Sequence, residues 1–359
     1  MPDLSVADLT ELHENARRCA ELAGLVYIEG DPPGIRRQRR GKGFSYHEAT
    51  HTAIDPAARA RCVELAIPPA WQQVWICADE NGHLLATGQD DRGRKQYIYH
   101  PRWRELRDVV NAYRLLVLAQ ALPKIRAHVQ TQLRRRTLDR DRVIAGMIGI
   151  LDAAYLRIGN VAYAEENESF GLSTLTPEHV EVHRKYVVFS FPAKSGKDAV
   201  ARIDDVRIAR LVTELVATPH ERLFTVDGVP IDSSDVNAAL GELCGERITA
   251  KDFRTWGGTL AAFTYLREHR DSDRPASKVA VEAVDEAADT LRNTRAVARS
   301  HYVHPQLLHS YLEGSFGEYL PHTSPTPTPY LQPDEQALVA VLQRMFTTEF
   351  PAAHDLDPP

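Results

Sequence analysis

The sequence predicts an α+β protein: a small β-rich N-terminal domain and a larger, mainly α-helical domain with an inserted β-hairpin sheet. Three observations carry this prediction. A chain of 359 residues has room for about two domains. The periodicity changes from strand-like to helical near residue 103, and one β excursion near residue 190 interrupts the helices. We place the domains at 1–102 and 103–314, followed by a Pro-rich linker and acidic C-terminal tail at 315–359.

The N-terminal domain is predicted from short apolar segments separated by turns. An amphipathic helix over residues 1–25 gives way to a DPPG turn and a basic run. From Phe44 to Trp103 the segments VWIC, HLLATG and QYIYH have the length and composition of strands. Residues 80–82 (ENG) and 91–93 (DRG) supply turns between them. These signals indicate a small sheet.

The second domain is predicted from apolar residues at three- and four-residue steps. Such steps link Leu106 to Leu116 and Ile144 to Ile158. The segments HVEVHR, YVVFSF and AVARI form the β excursion around the turn PAKSGKD. Thr249 followed by Asp252 is a capping-box pattern, which predicts the start of another helix.

The chain changes composition after Gly314. The segment PHTSPTPTPY is typical of a linker, and a short helix is expected from about Glu335 to Met345 before an acidic end. We expect this tail to be mobile or peripheral.

Composition excludes several classes of protein. The apolar fraction is 43% and the charged fraction 26%, and no stretch approaches the roughly 18 apolar residues of a membrane helix. The N-terminus lacks the apolar region of a secretion signal, so a cytoplasmic location is expected. The four cysteines are widely spaced without a C-x-x-C pair, which favours buried thiols over disulfides or a zinc ribbon.

Charge is unevenly distributed along the chain. The formal net charge is -6, yet residues 101–150 hold eleven Lys/Arg against four Asp/Glu, and residues 36–42 form a second basic run. This segregation suggests a basic surface for a polyanion within an acidic body. The alternative is a solvated helix face that binds nothing.

The sequence supports neither a zinc-peptidase motif nor a nucleotide-binding motif. Residues 47–51 spell H-E-x-x-H, the pattern of a zinc peptidase when it lies on a helix. Asp55-Pro56 would cut such a helix short, and the threonines nearby favour a strand or loop. Neither a P-loop nor a G-x-G-x-x-G fingerprint occurs, so binding of ATP or NAD lacks support.

Four segments of the chain carry polar and aromatic residues that could do chemistry: LRIGNVAYAEENESFGLSTL, FPAKSGK, ITAKDFRTWGGT and NTRAVARSHYVHP. Together they resemble the catalytic boxes of type IB DNA topoisomerases in their compact poxviral and bacterial form. They occur in the family's order, and the N-terminal segments LAIPPAWQQVWIC and HLLATGQDDRGRKQYIYHPRW resemble its amino-terminal domain. The resemblance implies a C-shaped clamp around duplex DNA and relaxation of supercoiled DNA by a monomer, with a cytoplasmic, nucleoid-associated location.

The resemblance also implies roles for individual residues. Tyr302 corresponds to the nucleophile that forms a 3′-phosphotyrosyl intermediate, and Arg157 and Arg254 to the cations that bind the phosphate. Lys194 corresponds to the general acid, with Lys197 as the alternative acid and an expected DNA contact. Arginine forks and a lysine suit this chemistry, because phosphoryl transfer needs preorganised cations. The scheme requires neither a metal ion nor ATP, and no cofactor is expected.

The sequence departs from relatives at two positions. Asn293 stands where poxviral and eukaryotic relatives have histidine, so it can donate a hydrogen bond but carries no charge. Lys251 stands where tyrosine recombinases usually have histidine, which favours a topoisomerase over that rival reading. The remaining alternative of another class is a DNA-binding protein without activity.

Five residues of the N-terminal domain resemble the family segment that contacts the DNA groove and backbone. On one strand Tyr97 and Tyr99 would share a face, although the same pattern also fits core aromatics. The five expected DNA contacts are Arg94, Lys95, Gln96, Tyr97 and Tyr99.

Overall fold

The structure is a computed structural model that describes most of the chain. The described residues are 9, 11–12, 15–30, 32–41, 43–50, 52–91, 93–161, 169–193, 197–218, 220–245, 248–322 and 327–349. They divide into two compact units, the first reaching Asn111 and the second covering Ala112–Glu349. The mixed fold, with a small N-terminal sheet and a larger helical part, is confirmed.

The first unit is built on one antiparallel sheet. Its strands lie in the order β2-β1-β3-β4-β5, with a β-bulge between β3 and β4. Its elements are α1 Ala16–Leu22, β1 Ile35–Arg40, β2 Gly43–Glu48, α2 Pro56–Glu64, β3 Gln72–Ile76, β4 Leu84–Gln89 and β5 Lys95–Tyr99. Apolar side chains of β1, β3 and β4 pack with α2 in a small core around Ile35, Cys62 and Ile76.

A long helix, α3 Pro101–Arg134, begins in the first unit and ends in the second. The change from strand-like to helical periodicity near residue 103 therefore coincides with a real change of structure. The division between the units falls inside this helix, between Asn111 and Ala112. The domain bounds given above stay a prediction.

The second unit is mainly helical. Its helices in the described residues are α4 Arg140–Ala154, α5 Val206–Val216, α6 Ser233–Cys244, α7 Ala250–Glu268, α8 Ala276–Leu291, α9 Arg295–His301, α10 Pro305–Glu313, α11 Phe316–Tyr319 and α12 Pro333–Glu349. Two 3₁₀ turns lie at Leu172–Thr174 and Pro177–His179. Helix α7 packs along α8, and Phe253, Trp256 and Phe263 on α7 are fully buried.

The predicted β excursion forms a three-stranded antiparallel sheet. Its strands are β6 Val180–Val182, β7 Val187–Ala193 and β8 Lys197–Ile203, in the order β6-β7-β8. The side chains of β7 alternate between buried and exposed, as expected for a sheet with one face on the core. A two-stranded ribbon, β9 Thr225–Val226 with β10 Val229–Pro230, completes the unit.

The C-terminal helix is packed within the second unit, so the expectation of a mobile or peripheral tail is wrong for this segment. Helix α12 packs against α7 and α11. One of its faces is buried and contains Leu338, Val341, Leu342 and Met345. The Pro-rich segment before this helix dominates the composition of the tail and masks the apolar pattern of the face. Apolar residues at positions i, i+3, i+4 and i+7 are the pattern of a core-facing helix.

Two further expectations concern the cysteines and the membrane. All four cysteines are free thiols, and Cys19, Cys62 and Cys77 are buried, as expected. No helix among the described residues is long and apolar enough to cross a bilayer.

Candidate active site

Three of the predicted site residues meet at one cavity in the second unit. The cavity has a volume of about 250 Å³, and Tyr302, Arg157 and Arg254 all contribute to its wall. Lys251 and the backbone around Gly159 also line it. The sequence segments that supply these side chains are separated by up to 145 positions, so the fold brings together what the sequence only implied.

Tyr302 is positioned by the end of one helix and by close packing against another. It is the residue at which α9 ends, and its carbonyl accepts a hydrogen bond of 3.1 Å from Thr259 Oγ1 on α7. A Cβ at Gly258 would lie 2.9 Å from the same carbonyl and 3.1 Å from the Tyr302 Cβ. Glycine at 258 therefore permits the backbone of Tyr302 to lie directly on α7.

Arg254 is positioned by the first turn of α7. The capping box predicted at Thr249 is present: the Asp252 carboxylate accepts from the Thr249 backbone N–H at 2.8 Å. The same carboxylate forms an ion pair of 2.7 Å with Arg114 of α3. The start of the helix that carries Arg254 is thus fixed by a cap and by a bond to a second helix.

The Arg254 side chain is almost completely enclosed. It is 3% exposed, and it donates to the backbone carbonyls of Tyr155 and, at 3.1 Å, of Leu291. Its guanidinium carbon lies 4.9 Å from the centre of the Tyr302 ring. This guanidinium is therefore preorganised beside the phenol rather than free to sample the solvent.

Arg157 lies on a loop held by close backbone packing. Gly159 has φ +91°, and a Cβ on Gly171 would lie 2.5 Å from the Gly159 backbone, so both positions require glycine. The Leu172 backbone N–H donates to the Arg157 carbonyl at 2.8 Å. The loop after α4 is in this way fastened to the 3₁₀ turn that follows it.

Asn293 contacts Arg157 and is not among the residues that line the cavity. Its Oδ1 accepts a hydrogen bond from the Arg157 guanidinium. The preceding residue, Arg292, has φ +54° and donates to the carbonyls of Val200 at 2.7 Å and Ala154 at 3.0 Å. Arg292 therefore joins the β7-β8 hairpin to the end of α4, a role that the sequence analysis did not anticipate.

The cavity lowers the pKa of Tyr302 below its ordinary value. Burial by itself raises that pKa, but the charge of Arg254, a hydrogen bond from it, and the charges of Arg157 and Lys251 outweigh burial. Burial lowers the pKa of Arg254; Tyr302 opposes this effect and Arg157 adds to it. The phenol thus has an environment that favours its anionic, nucleophilic form.

Two buried donors at this site lack a protein acceptor among the described residues. They are Nε of Arg254 and Nδ2 of Asn293. A buried donor without a partner costs about 1–3 kcal/mol. An anion with several oxygens, such as a phosphodiester, would provide the missing acceptors.

Lys194 lies outside the described residues, as does the side chain of Lys197. The strands on either side are described, and β7 ends at Ala193. Lys251 is the site residue that sequence reasoning missed as a functional group: it was weighed only as the residue in place of a histidine. Lys251 lies three residues before Arg254 on a predicted helix, and this spacing already indicates that both side chains share one face.

The five predicted DNA contacts of the first unit lie on β5 or just before it. Arg94 Nε and Gln96 Nε2 both donate to Asp90 Oδ2, at 2.8 Å and 2.9 Å. The rings of Tyr97 and Tyr99 stack with centres 5.9 Å apart, so the two side chains share a face as predicted. Tyr97 is 48% exposed, and the Lys95 ammonium lies 5.9 Å from its ring centre.

The H-E-x-x-H sequence does not lie on a helix. Residues 43–48 form strand β2, in which His47 pairs with Arg36 of β1, and His51 is outside the described residues. No group of three or more potential ligands is found among the residues that the structure describes. The helical geometry that a zinc peptidase motif needs is therefore missing.

Two family models match the chain. Residues 101–314 match the model described as "Eukaryotic DNA topoisomerase I, catalytic core". Residues 43–90 match the model described as "Bacterial DNA topoisomerase IB, N-terminal domain". The catalytic-core match covers more than half of the chain and includes every residue that lines the cavity.

Individual relatives agree with these models. DNA topoisomerase 1B of Acanthamoeba polyphaga mimivirus is 28% identical over 298 residues, covering 77% of this chain and 87% of the relative. DNA topoisomerase 1B of vaccinia virus (strain Copenhagen) is 21% identical and covers 71% and 80%. Among solved structures, the XerH site-specific recombinase bound to its palindromic difH substrate has a TM-score of 0.35 at 16% identity, covering 54% of this chain and 51% of that one. This last likeness is too weak to support an argument.

Proposed function

The chain belongs to the type IB DNA topoisomerase family, enzymes that relax DNA through a transient single-strand break, and we propose that Tyr302 makes that break. One observation carries the assignment: Tyr302 shares a cavity of about 250 Å³ with Arg157, Arg254 and Lys251. A phenol surrounded by three cations has the arrangement that attack on a phosphodiester requires.

In the cleavage step the Tyr302 phenolic oxygen attacks the phosphorus of the scissile phosphodiester. The new bond joins that oxygen to the 3′-phosphate, and the bond from phosphorus to the 5′-oxygen breaks. The phenol gives up its proton to solvent water as the bond forms, which the lowered pKa of Tyr302 assists. The products are a 3′-phosphotyrosyl enzyme and a DNA strand that ends in a 5′-hydroxyl.

The two arginines stabilise the transition state. Negative charge on the non-bridging oxygens grows as tyrosine adds, and fixed guanidinium forks offset it without reorganising. Arg254 is enclosed and held by two carbonyls, which supports this role. Asn293 contributes through its free Nδ2, a donor that adds no charge.

A lysine supplies the proton for the leaving group. We assign this role to Lys194, which directly follows β7 in the sequence, with Lys197 as the alternative. The departing 5′-oxygen takes a proton from the ammonium and leaves as a hydroxyl. Lys251 lines the cavity and contacts the phosphate as a third cation.

Resealing reverses the same steps. After the strand has rotated, the 5′-hydroxyl attacks phosphorus and gives its proton to the lysine. The bond from phosphorus to the Tyr302 oxygen breaks, and the departing phenolate takes a proton from solvent water. The phosphotyrosyl bond keeps the energy of the original phosphodiester, so the cycle needs neither ATP nor a metal ion.

The substrate is duplex DNA, and the supercoiled form is the one that the enzyme relaxes. The two units act as a C-shaped clamp around the duplex, and one molecule is sufficient. Arg94, Lys95, Gln96, Tyr97 and Tyr99 of the first unit contact the groove and backbone. The exposed ring of Tyr97 beside Lys95 supports this assignment. The same substrate implies a location at the nucleoid within the cytoplasm.

Relaxation of a supercoiled plasmid tests this function. We expect activity in EDTA without ATP, and loss of both relaxation and covalent adduct in Tyr302→Phe while non-covalent DNA binding persists. Strict dependence on Mg²⁺, or an adduct that survives Tyr302→Phe, would contradict the proposal.

The same assay separates the alternatives. A tyrosine recombinase requires paired sites and partner protomers, so relaxation of a plasmid without such sites argues against it. A DNA-binding protein without activity would leave the plasmid supercoiled. A zinc peptidase is disfavoured already, because residues 43–48 form a strand.

A further inference from the structure

We propose that Glu335, on the C-terminal helix beyond the matched catalytic core, is a positioning residue that holds both arginine-bearing segments of the active site. Glu335 lies in the first turn of α12, and the family match ends at residue 314. The proposal rests on the proposed function, because it concerns the same site. It assigns the tail a part in strand cleavage rather than in folding alone.

Glu335 is a buried carboxylate with every oxygen in use. Its residue is 3% exposed. Oε2 accepts from the Gln332 backbone N–H at 2.9 Å, a bond that also caps the start of α12. Oε1 accepts from Trp256 Nε1 at 3.2 Å, and both oxygens accept from Arg126 at 2.7 Å. Burial raises the pKa of Glu335, but its bonds and the charge of Arg126 lower it below the ordinary value, so the group is ionised.

Arg126 connects Glu335 to the segment that carries Arg157. Arg126 lies in α3 and forms a forked pair with Asp152, at 2.7 Å through Nε and 2.9 Å through Nη2. Its remaining bonds go to Glu335 and to the Tyr330 carbonyl, so all five donors have acceptors. Asp152 is in the last turn of α4, five residues before Arg157. This forked pair therefore fixes the end of α4, and the loop that carries Arg157 begins there.

Trp256 connects Glu335 to the segment that carries Arg254. Trp256 follows Arg254 by two residues on α7 and is fully buried. Tyr155 also packs against this helix. Its carbonyl accepts a hydrogen bond from Arg254, and its ring lies 2.6 Å from a Cβ built on Gly257. Tyr155, Asp152 and Glu335 line the same pocket. Glu335 is thus linked through Trp256 to the helix that carries Arg254, and through Arg126 and Asp152 to the segment that carries Arg157.

The physical consequence is a dependence of the cleavage rate on a residue that does not touch DNA. The arginines stabilise the transition state only while they are held in position, and misplacement by about 1 Å can cost on the order of 10²-fold in rate. The affinity for intact DNA depends on many exposed phosphate contacts and should change little. Loss of Glu335 should therefore affect cleavage and not binding.

The test compares Glu335→Gln with Asp334→Asn. Both remove one negative charge from the same turn of α12, but Asp334 pairs with Arg267 at the surface, where its side chain is 45% exposed. The readout is the single-turnover rate of adduct formation at saturating enzyme, together with DNA affinity measured in a Tyr302→Phe background. We expect Glu335→Gln to cleave about 10- to 100-fold more slowly at unchanged affinity, and Asp334→Asn to match the parent enzyme.

Equal rates for Glu335→Gln and the parent enzyme would overturn the inference, as would equal losses in both variants. If Glu335→Gln does not fold, Trp256→Phe decides, because it removes the Nε1–H donor and leaves the Arg126 pair intact. Cleavage by Trp256→Phe at the parent rate would then overturn the inference. Failure of the proposed function gives a different result: adduct would persist in Tyr302→Phe, whatever the rate of Glu335→Gln.

Discussion

The active site and the β5 surface of the first unit use cationic and aromatic side chains in opposite ways. Arg254 is 3% exposed and bound by backbone carbonyls, whereas Tyr97 is 48% exposed beside Lys95. Groups that are fixed before the reaction stabilise a transition state best, because reorganising mobile groups would add to the barrier. Contacts to a polyanion of varying sequence require only charge and a ring face at the surface. The contrast predicts large, rate-specific effects at the first region and small, affinity-specific effects at the second.

The largest effect is expected for Arg254→Ala. Removing a preorganised guanidinium from phosphoryl transfer typically costs about 10³-fold or more in rate. Single-turnover cleavage of end-labelled duplex DNA measures the loss, with Arg267→Ala, on the same helix, as the control. Since the side chain is almost inaccessible, DNA affinity should stay close to that of the parent enzyme. A drop in affinity with an unchanged cleavage rate would remove the contrast between the two regions.

A second prediction concerns the close packing behind the arginines. In Gly257→Ala the new methyl would lie about 2.6 Å from the buried Tyr155 ring, whose carbonyl binds Arg254. Overpacking of this kind costs about 1–3 kcal/mol in the free energy of unfolding. Thermal denaturation should show a lower Tm, whereas Gly317→Ala, with no atom within 4 Å of the new Cβ, should leave it unchanged. Equal Tm values for the two variants would mean that the cavity wall is not rigid.

The third prediction is a shift in pH dependence. Arg254, Arg157 and Lys251 stabilise the phenolate of Tyr302, so removing one of them must raise its pKa. In Lys251→Ala the alkaline rise of the cleavage rate should therefore move to higher pH, and the rate at neutral pH should fall. Lys278→Ala, on the exposed side of α8, provides the matched control. An unmoved profile in Lys251→Ala would show that this lysine does not act on the nucleophile.

The smallest effect is expected at the β5 surface. Lys95→Ala should make the slope of log affinity against log salt less negative by about 0.9 if one phosphate contact is lost. Filter binding at several salt concentrations, in a Tyr302→Phe background, measures the slope. Single-turnover cleavage at saturating enzyme should be unchanged. A slower saturated cleavage rate would place Lys95 with the preorganised groups instead.

The sequence was informative wherever a signal is local. Local patterns predict the switch to helical periodicity near residue 103, the capping box at Thr249 and the segments around Arg157, Arg254 and Tyr302. A cap needs four consecutive residues, and a motif carries its own spacing, so neither depends on distant contacts.

The sequence could not reveal the contacts that hold those segments together. Arg114 is 138 positions from Asp252, and Arg126 is 209 positions from Glu335. A charged residue on a helix most often belongs to a solvated face, so nothing in its neighbours distinguishes a buried partner. Arg292 was hidden for another reason: its left-handed backbone is ordinarily occupied by glycine or asparagine.

The central claim is that the phenolic oxygen of Tyr302 forms a reversible covalent bond to DNA. Mapping that bond tests the claim most directly. A nicked duplex with a short 5′ leaving strand traps the adduct, which is digested with protease and nuclease and analysed by mass spectrometry. We predict a nucleotide joined through its 3′-phosphate to Tyr302, and a free 5′-hydroxyl on the released strand. A 5′-phosphate linkage, or attachment to any other residue, would contradict the account.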